Sequence, residues 1–124
     1  MHSKVFVSKS VYFLRDMLEN EGNLQGENIL FGRVESEFNL LERHIKMLKI
    51  IMDEGPIGII KLSEKTKFPQ HKVRYSLRVL EEEGLIQPSP RGAVVTDKTY
   101  EFIIWLKNLL YELEERIREI KKSL

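Results

Sequence analysis

Residues 60–86 read IKLSEKTKFPQHKVRYSLRVLEEEGLI, and their pattern of apolar and punctuating residues predicts two short helices joined by a tight turn. The first helix covers residues 60–66. Lys67 and Phe68 make the turn, and Pro69 suits the first turn of the next helix, where a missing backbone N–H does no harm. That second helix spans about residues 69–83. Val73, Leu77 and Leu80 form its buried stripe. Gly84 closes it, because glycine readily takes up the left-handed conformation found at helix C-termini.

Downstream, residues 85–87 alternate like a strand, PSPRG at 88–92 turns, and residues 93–96 return. Two short strands about a Pro/Gly turn make a β-hairpin. Upstream, Ser36 and Glu37 supply a capping oxygen and a carboxylate for a helix that continues through FNLLERHIKMLKIIMDE. Leu41, Ile45, Leu48 and Met52 recur at 4-3-4 spacing and predict its apolar stripe, flanked by Phe38, Leu40 and Ile51. Gly55-Pro56 ends it, with glycine in the left-handed position and proline unable to continue the ladder. Residues 1–35 are less regular. Residues 5–7 suit a short strand, and a helix from Ser8 or Ser10 to about Asn20 sets Val11, Leu14, Met17 and Leu18 on one side. EGNLQGEN is a loop, and ILFGRV at 29–34 suits a strand or extended linker. The expected organisation is an N-terminal packing element (1–35), a central domain (36–96) and a C-terminal helix (97–124). The fold class is mainly α with a small β-hairpin.

Composition narrows the function. The chain has 124 residues, 42% hydrophobic and 31% charged, which fits one globular domain with a modest core and excludes a disordered chain. No apolar run is long enough to span a membrane. MHSKVFVSKS lacks the apolar core and cleavage site of a secretory signal, and cysteine is absent, so the expected compartment is the cytoplasm. The net charge is only +1, but it is unevenly distributed. Residues 1–60 hold seven Lys/Arg against nine Asp/Glu, and residues 79–124 again seven against nine. Residues 61–78 hold six basic residues (Lys61, Lys65, Lys67, Lys72, Arg74 and Arg78) against Glu64 alone. Screening limits electrostatic reach to about 8 Å, so this local excess matters to a polyanion more than the total does.

The inward direction of Val73, Leu77 and Leu80 puts Gln70, Arg74 and Arg78 on the opposite side of the helix, at i, i+4 and i+8. Arginine can donate two hydrogen bonds to guanine O6/N7, and a glutamine amide can pair with adenine. Lys65, Lys67 and Lys72 suit phosphate contacts, which position a helix without reading sequence. A solvated helix face is the ordinary meaning of such a stripe. The turn, the buried stripe, the hairpin and the clustered charge together favour a double-stranded DNA partner.

The order helix, helix, turn, helix, hairpin resembles the winged-helix DNA-binding fold. LSEKT at 62–66 followed by VRYSLRVLEEEGLI at 73–86 is similar to the pattern of MarR- and ArsR-like transcriptional regulators, and of archaeal winged-helix regulators with a C-terminal dimerising helix. The resemblance covers roughly residues 37–96. It implies a recognition helix at about 69–83 in the major groove, with Gln70, His71, Arg74, Tyr75 and Arg78 facing DNA and Arg91 at the wing tip facing the minor groove; Tyr75 equally suits a half-buried place against the helix at 60–66. The wing is short and carries only that one basic residue.

In the last helix Ile103, Leu106, Leu110, Leu113, Ile117, Ile120 and Leu124 keep 3-4 spacing over three heptads. A seam this long needs a matching seam, and the same helix of a second copy is the simplest partner, giving a homodimer. Parallel pairing would bring Arg116 near the partner copy's like-charged Lys121, which favours antiparallel pairing. Asp97 or Thr96 caps the helix, Glu112–Arg116 and Glu114–Arg118 support its exposed face, and Phe102, Trp105 and Leu109 lie off the seam.

His2, His44 and His71 show no ligand spacing, and His44 suits the edge of a core. Gly22, Gly26 and Gly32 match no phosphate-binding loop. The sequence therefore predicts no catalytic residues, no metal, no cofactor and no enzyme activity, and specifies no effector. The expected function is sequence-specific DNA binding by a homodimeric regulator. The rival readings are a winged-helix protein-interaction module and a sequence-independent chromatin protein.

Overall fold

The computed structural model describes residues 29–124, and the strand, helix and loop expected within residues 1–28 lie outside them. The described chain runs α1 (Ile29–Glu54), α2 (Ile59–Thr66), α3 (Gln70–Glu82), β1 (Ile86–Ser89), β2 (Gly92–Val95) and α4 (Lys98–Ser123). The expected class, helices with one β-hairpin, is the observed one.

Three expectations for α1 are corrected. Residues 29–34 are helical, not extended, and Ser36 lies inside the helix instead of capping it. The apolar positions Phe31, Val34, Phe38 and Leu41 prolong the helical period upstream, and one interior glycine, worth about 1 kcal/mol against helix, does not interrupt it. The buried face is also shifted by one position. Leu40, His44, Met47 and Ile51 turn inward with Leu48, while Leu41, Ile45 and Met52 are half-buried. Apolar residues in α1 come in neighbouring pairs (Leu40-Leu41, Met47-Leu48, Ile51-Met52), so two stripes fit the period. Contact with α3 selects between them.

The core gathers Met47, Leu48 and Ile51 from α1, Leu62 from α2, Val73 and Leu80 from α3, Ile86 from β1, and Ile57 and Leu85 from the connecting segments. Gly55 ends α1 for want of space, not for a left-handed backbone, since only Gly84 and Gly92 among the described glycines have positive φ. A Cβ on Gly55 would stand 2.6 Å from the Ile51 carbonyl oxygen.

The α2–α3 turn is tied by side chains. Thr66 Oγ1 donates to the Leu62 carbonyl at 2.7 Å and accepts the Phe68 N–H at 3.2 Å, while Ser63 Oγ donates to the Phe68 carbonyl at 2.6 Å. Lys67 takes the left-handed conformation, φ 67°. Pro69 is the extended cap of α3 instead of its first helical residue. Its carbonyl accepts the N–H groups of Lys72 and Val73. At the far end Gly84 has φ 77° and the Leu85 N–H reaches back to the Leu80 carbonyl at 3.0 Å, a Schellman closure.

β1 and β2 pair antiparallel from Ile86↔Val95 to Ser89↔Gly92 around Pro90 and Arg91. The other edge of β2 is taken by Ile57, whose N–H and carbonyl both bond Ala93, at 3.2 and 2.8 Å. α4 is fastened to this region by two threonines. Thr96 Oγ1 donates to the Gly84 carbonyl and Thr99 Oγ1 to the Leu85 carbonyl, both at 2.6 Å. Thr96, not Asp97, also receives a backbone N–H at the start of α4. Phe102 and Ile103 pack against the core and Leu106 is buried. Beyond it the ion pairs are Arg118–Glu115 and Lys122–Glu119, three residues apart instead of the expected four. Such exposed pairs contribute little, so either spacing is tolerated. No helix among the described residues is long and apolar enough to cross a membrane.

Candidate nucleic-acid interface

α3 sits on the domain by Val73, Ser76, Val79 and Leu80, all buried, with Leu77 half-buried beside them. Val79 and Ser76 were not among the residues expected to turn inward. The opposite side presents Gln70, His71, Lys72, Arg74 and Arg78 to solvent. Gln70 and Arg74 stand side by side, with Arg74 Nη2 donating to Gln70 Oε1 at 3.5 Å. They form one wall of a shallow open groove whose other side is the start of α2, with Ile60, Lys61 and Glu64. Lys67 is exposed on the turn leading into α3, and Arg91 is exposed at the hairpin tip.

Two expected contact residues are placed differently. Lys65 forms an ion pair with Glu54 at the end of α1, Nζ to Oε1 2.8 Å. Tyr75 lies on the flank of α3 nearest α1, a quarter-turn from Arg74. Its ring is half-buried, and its phenol oxygen is shielded from solvent. The ring stands against the His44 imidazole, with centroids 5.9 Å apart. Tyr75 therefore belongs to the layer behind the exposed stripe. His44 lies at the core edge as expected, 7% exposed.

Sequence reasoning missed the polar contact that joins α3 to α1. Ser76 Oγ, wholly buried, lies 3.0 Å from Arg43 Nε, which donates to it, and 2.9 Å from His44 Nδ1. The available signal was a serine at a position of inward helical phase, since a buried hydroxyl demands partners. Lys46 was also missed; its ammonium lies 5.4 Å from the Phe68 ring centroid, bracing the turn from α1. Among the described residues no cluster of His, Asp and Glu could hold a metal ion.

A turn-linked helix pair, its second helix exposed along a basic and amide stripe, followed by a docked two-stranded hairpin, defines a winged helix-turn-helix domain. Residues 40–87 match the family model described as winged helix-turn-helix DNA-binding, a stretch from mid-α1 into β1 that includes all of α3. This match supports DNA binding as the function of the domain. No curated protein matches the chain.

Proposed function

We propose that the protein is a homodimeric transcriptional regulator that binds specific double-stranded DNA sequences through α3, of the MarR/ArsR-like kind with a C-terminal dimerising helix. The observation that carries this reading is the exposed stripe of Gln70, Arg74 and Arg78 on a helix whose other side is anchored in the core. Gln70 and Arg74 read base edges in the major groove, with His71 beside them. Lys67 and Lys72 bind phosphates that set the register, and Arg91 enters the minor groove. Lys65 joins them by exchanging Glu54 for a phosphate. Its present ion pair is partly exposed, and such pairs are worth about 0–1 kcal/mol. Residues 36–96 serve as the DNA-binding unit and residues 97–124 as the dimerising one. The protein needs no cofactor and performs no catalysis.

The exposed apolar residues of α4 support the dimer. In the single chain Ile117 and Ile120 are 55% and 61% exposed, and Leu110 and Leu124 are also open to solvent. Pairing these seams would carry two copies of α3 to half-sites about 34–36 Å apart.

Binding to duplex DNA is expected to weaken steeply with salt, by about 0.9 in log K per unit log[salt] for each phosphate neutralised. A flat titration measured by fluorescence anisotropy rules out a DNA-binding role. Within the interface, Arg74→Ala is expected to cost about 1–3 kcal/mol on a selected sequence and little on random DNA. Lys67→Ala should instead weaken all sequences alike and reduce the salt slope by about 1. Equal behaviour of the two variants across a selected and a scrambled duplex overturns the division into reader and phosphate contact.

A further inference from the structure

Tyr75 holds two guanidinium groups near its ring. Arg78 Cζ lies 5.9 Å from the ring centroid and Arg43 Cζ 5.7 Å from it. The His44 imidazole lies against the same ring, tilted by 37°. His44 and Arg43 both meet the buried Ser76 hydroxyl, at 2.9 and 3.0 Å. Two side chains of α1 and three of α3 thus form one connected group, buried at Ser76 and exposed at Arg78. Glu82 stands one turn beyond Arg78 on the same helix, yet Arg78 is not in an ion pair among the described residues. Its guanidinium is beside the ring instead.

We propose that Tyr75 is a positioning residue for the DNA contact of Arg78, its ring holding the guanidinium at the edge of α3 and being held in turn by the Arg43–Ser76–His44 contacts to α1. An arginine on an exposed helix face has several rotamers to lose when it binds. A cation resting on an aromatic ring has surrendered part of that freedom beforehand. The brace to α1 keeps the ring from following the arginine into other rotamers. Arg43 and His44 lie on a different helix from Arg78, so the arrangement exists only after α1 and α3 have packed. This inference rests on the DNA-binding reading above.

The test is a double-mutant cycle on a short mixed-sequence duplex at low salt, with the thermal midpoint of each protein measured alongside. Tyr75→Leu is expected to weaken binding about 3–10-fold, a range set by the strength of cation–π contacts. It should leave the salt slope unchanged because the Arg78 charge remains. Arg78→Ala is expected to weaken binding and lower the slope by about 1. The double variant should bind no worse than Arg78→Ala alone. Tyr75→Phe keeps the ring and should bind like the parent. Arg78→Lys keeps the charge without the planar group, and should lose affinity in the parent and in Tyr75→Phe but not in Tyr75→Leu. Should Tyr75→Leu fail to fold, a full-affinity Arg78→Lys in the Tyr75→Phe background still refutes the proposal. Additive losses in the cycle, or Tyr75→Phe binding as poorly as Tyr75→Leu, refute it too. A parent protein that does not bind duplex DNA at all overturns the DNA-binding reading instead.

Discussion

The double variant Ile117→Glu/Ile120→Glu is expected to be monomeric and to bind a duplex carrying two half-sites about 10²–10⁴-fold more weakly than the parent, the range by which bivalence raises affinity. Both residues lie on the 3-4 seam of α4, and both are more than half exposed in the single chain. A glutamate at either position would place a carboxylate in the middle of an apolar helix pair, where it must stay hydrated or be neutralised. Affinity for a single half-site should be unchanged, because neither residue belongs to the packed core around α3. Asn108→Glu, on an exposed face of the same helix away from the seam, serves as the control and should stay dimeric. Sedimentation equilibrium decides the question. A parent protein that sediments as a monomer at the concentrations used for binding removes the dimer from the proposed function and leaves the single domain untouched.

Gly92→Val is expected to destabilise the fold by about 3–5 kcal/mol, a large share of the 5–15 kcal/mol typical of a small domain. Gly92 has φ +128°, a conformation that side chains strongly disfavour. A Cβ there would also stand 2.4 Å from both the carbonyl carbon and oxygen of Ile57 and 2.8 Å from the Gly58 nitrogen. Those are backbone atoms, so nothing small can move aside. The strand-like segment at Ile57 would have to leave β2, breaking both of its hydrogen bonds with Ala93. Ile57 is part of the core, and its displacement would open the domain beneath the hairpin. Gly32→Ala is the contrasting case: a Cβ there meets nothing within 4 Å, in a helix interior. It should stabilise by about 0.5–1 kcal/mol through helix propensity. Urea denaturation of the three proteins gives the comparison. A Gly92→Val midpoint within error of the parent contradicts the account of the hairpin's docking.

The helix–turn–helix and the hairpin were legible because their signals are local. Pro69 after the Lys67-Phe68 turn, Gly84 at a helix end and a Pro/Gly-rich hairpin turn each constrain the backbone within a few residues. The apolar period of α3 then fixed which side carries Gln70, Arg74 and Arg78. The inward face of α1 was not legible in this way. Paired apolar residues leave two stripes about 100° apart, and a local period cannot choose between them. Ser76 was hidden for a different reason: its inward phase on α3 was legible, but its partners Arg43 and His44 come from another element.

Charge was partly legible for a related reason. The basic excess of residues 61–78 is a property of composition, and it appears on the surface of α2 and α3 as expected. Which cations are already engaged is a matter of neighbours distant in sequence. Lys65 is paired with Glu54. Arg43, from another helix, shares with Arg78 the ring of Tyr75, which the family resemblance had turned toward DNA.

By itself, then, the sequence determined the order of elements, the turn between α2 and α3 and the outward stripe of α3, because backbone constraints and helical period act over a few residues. The tertiary structure decided the phase of α1, the helical state of residues 29–34, the docking of Ile57 on β2 and the packing of Tyr75 against α1. Those outcomes depend on which surfaces meet and on how buried polar groups such as Ser76 find partners, and both are settled only when elements far apart in the chain pack together.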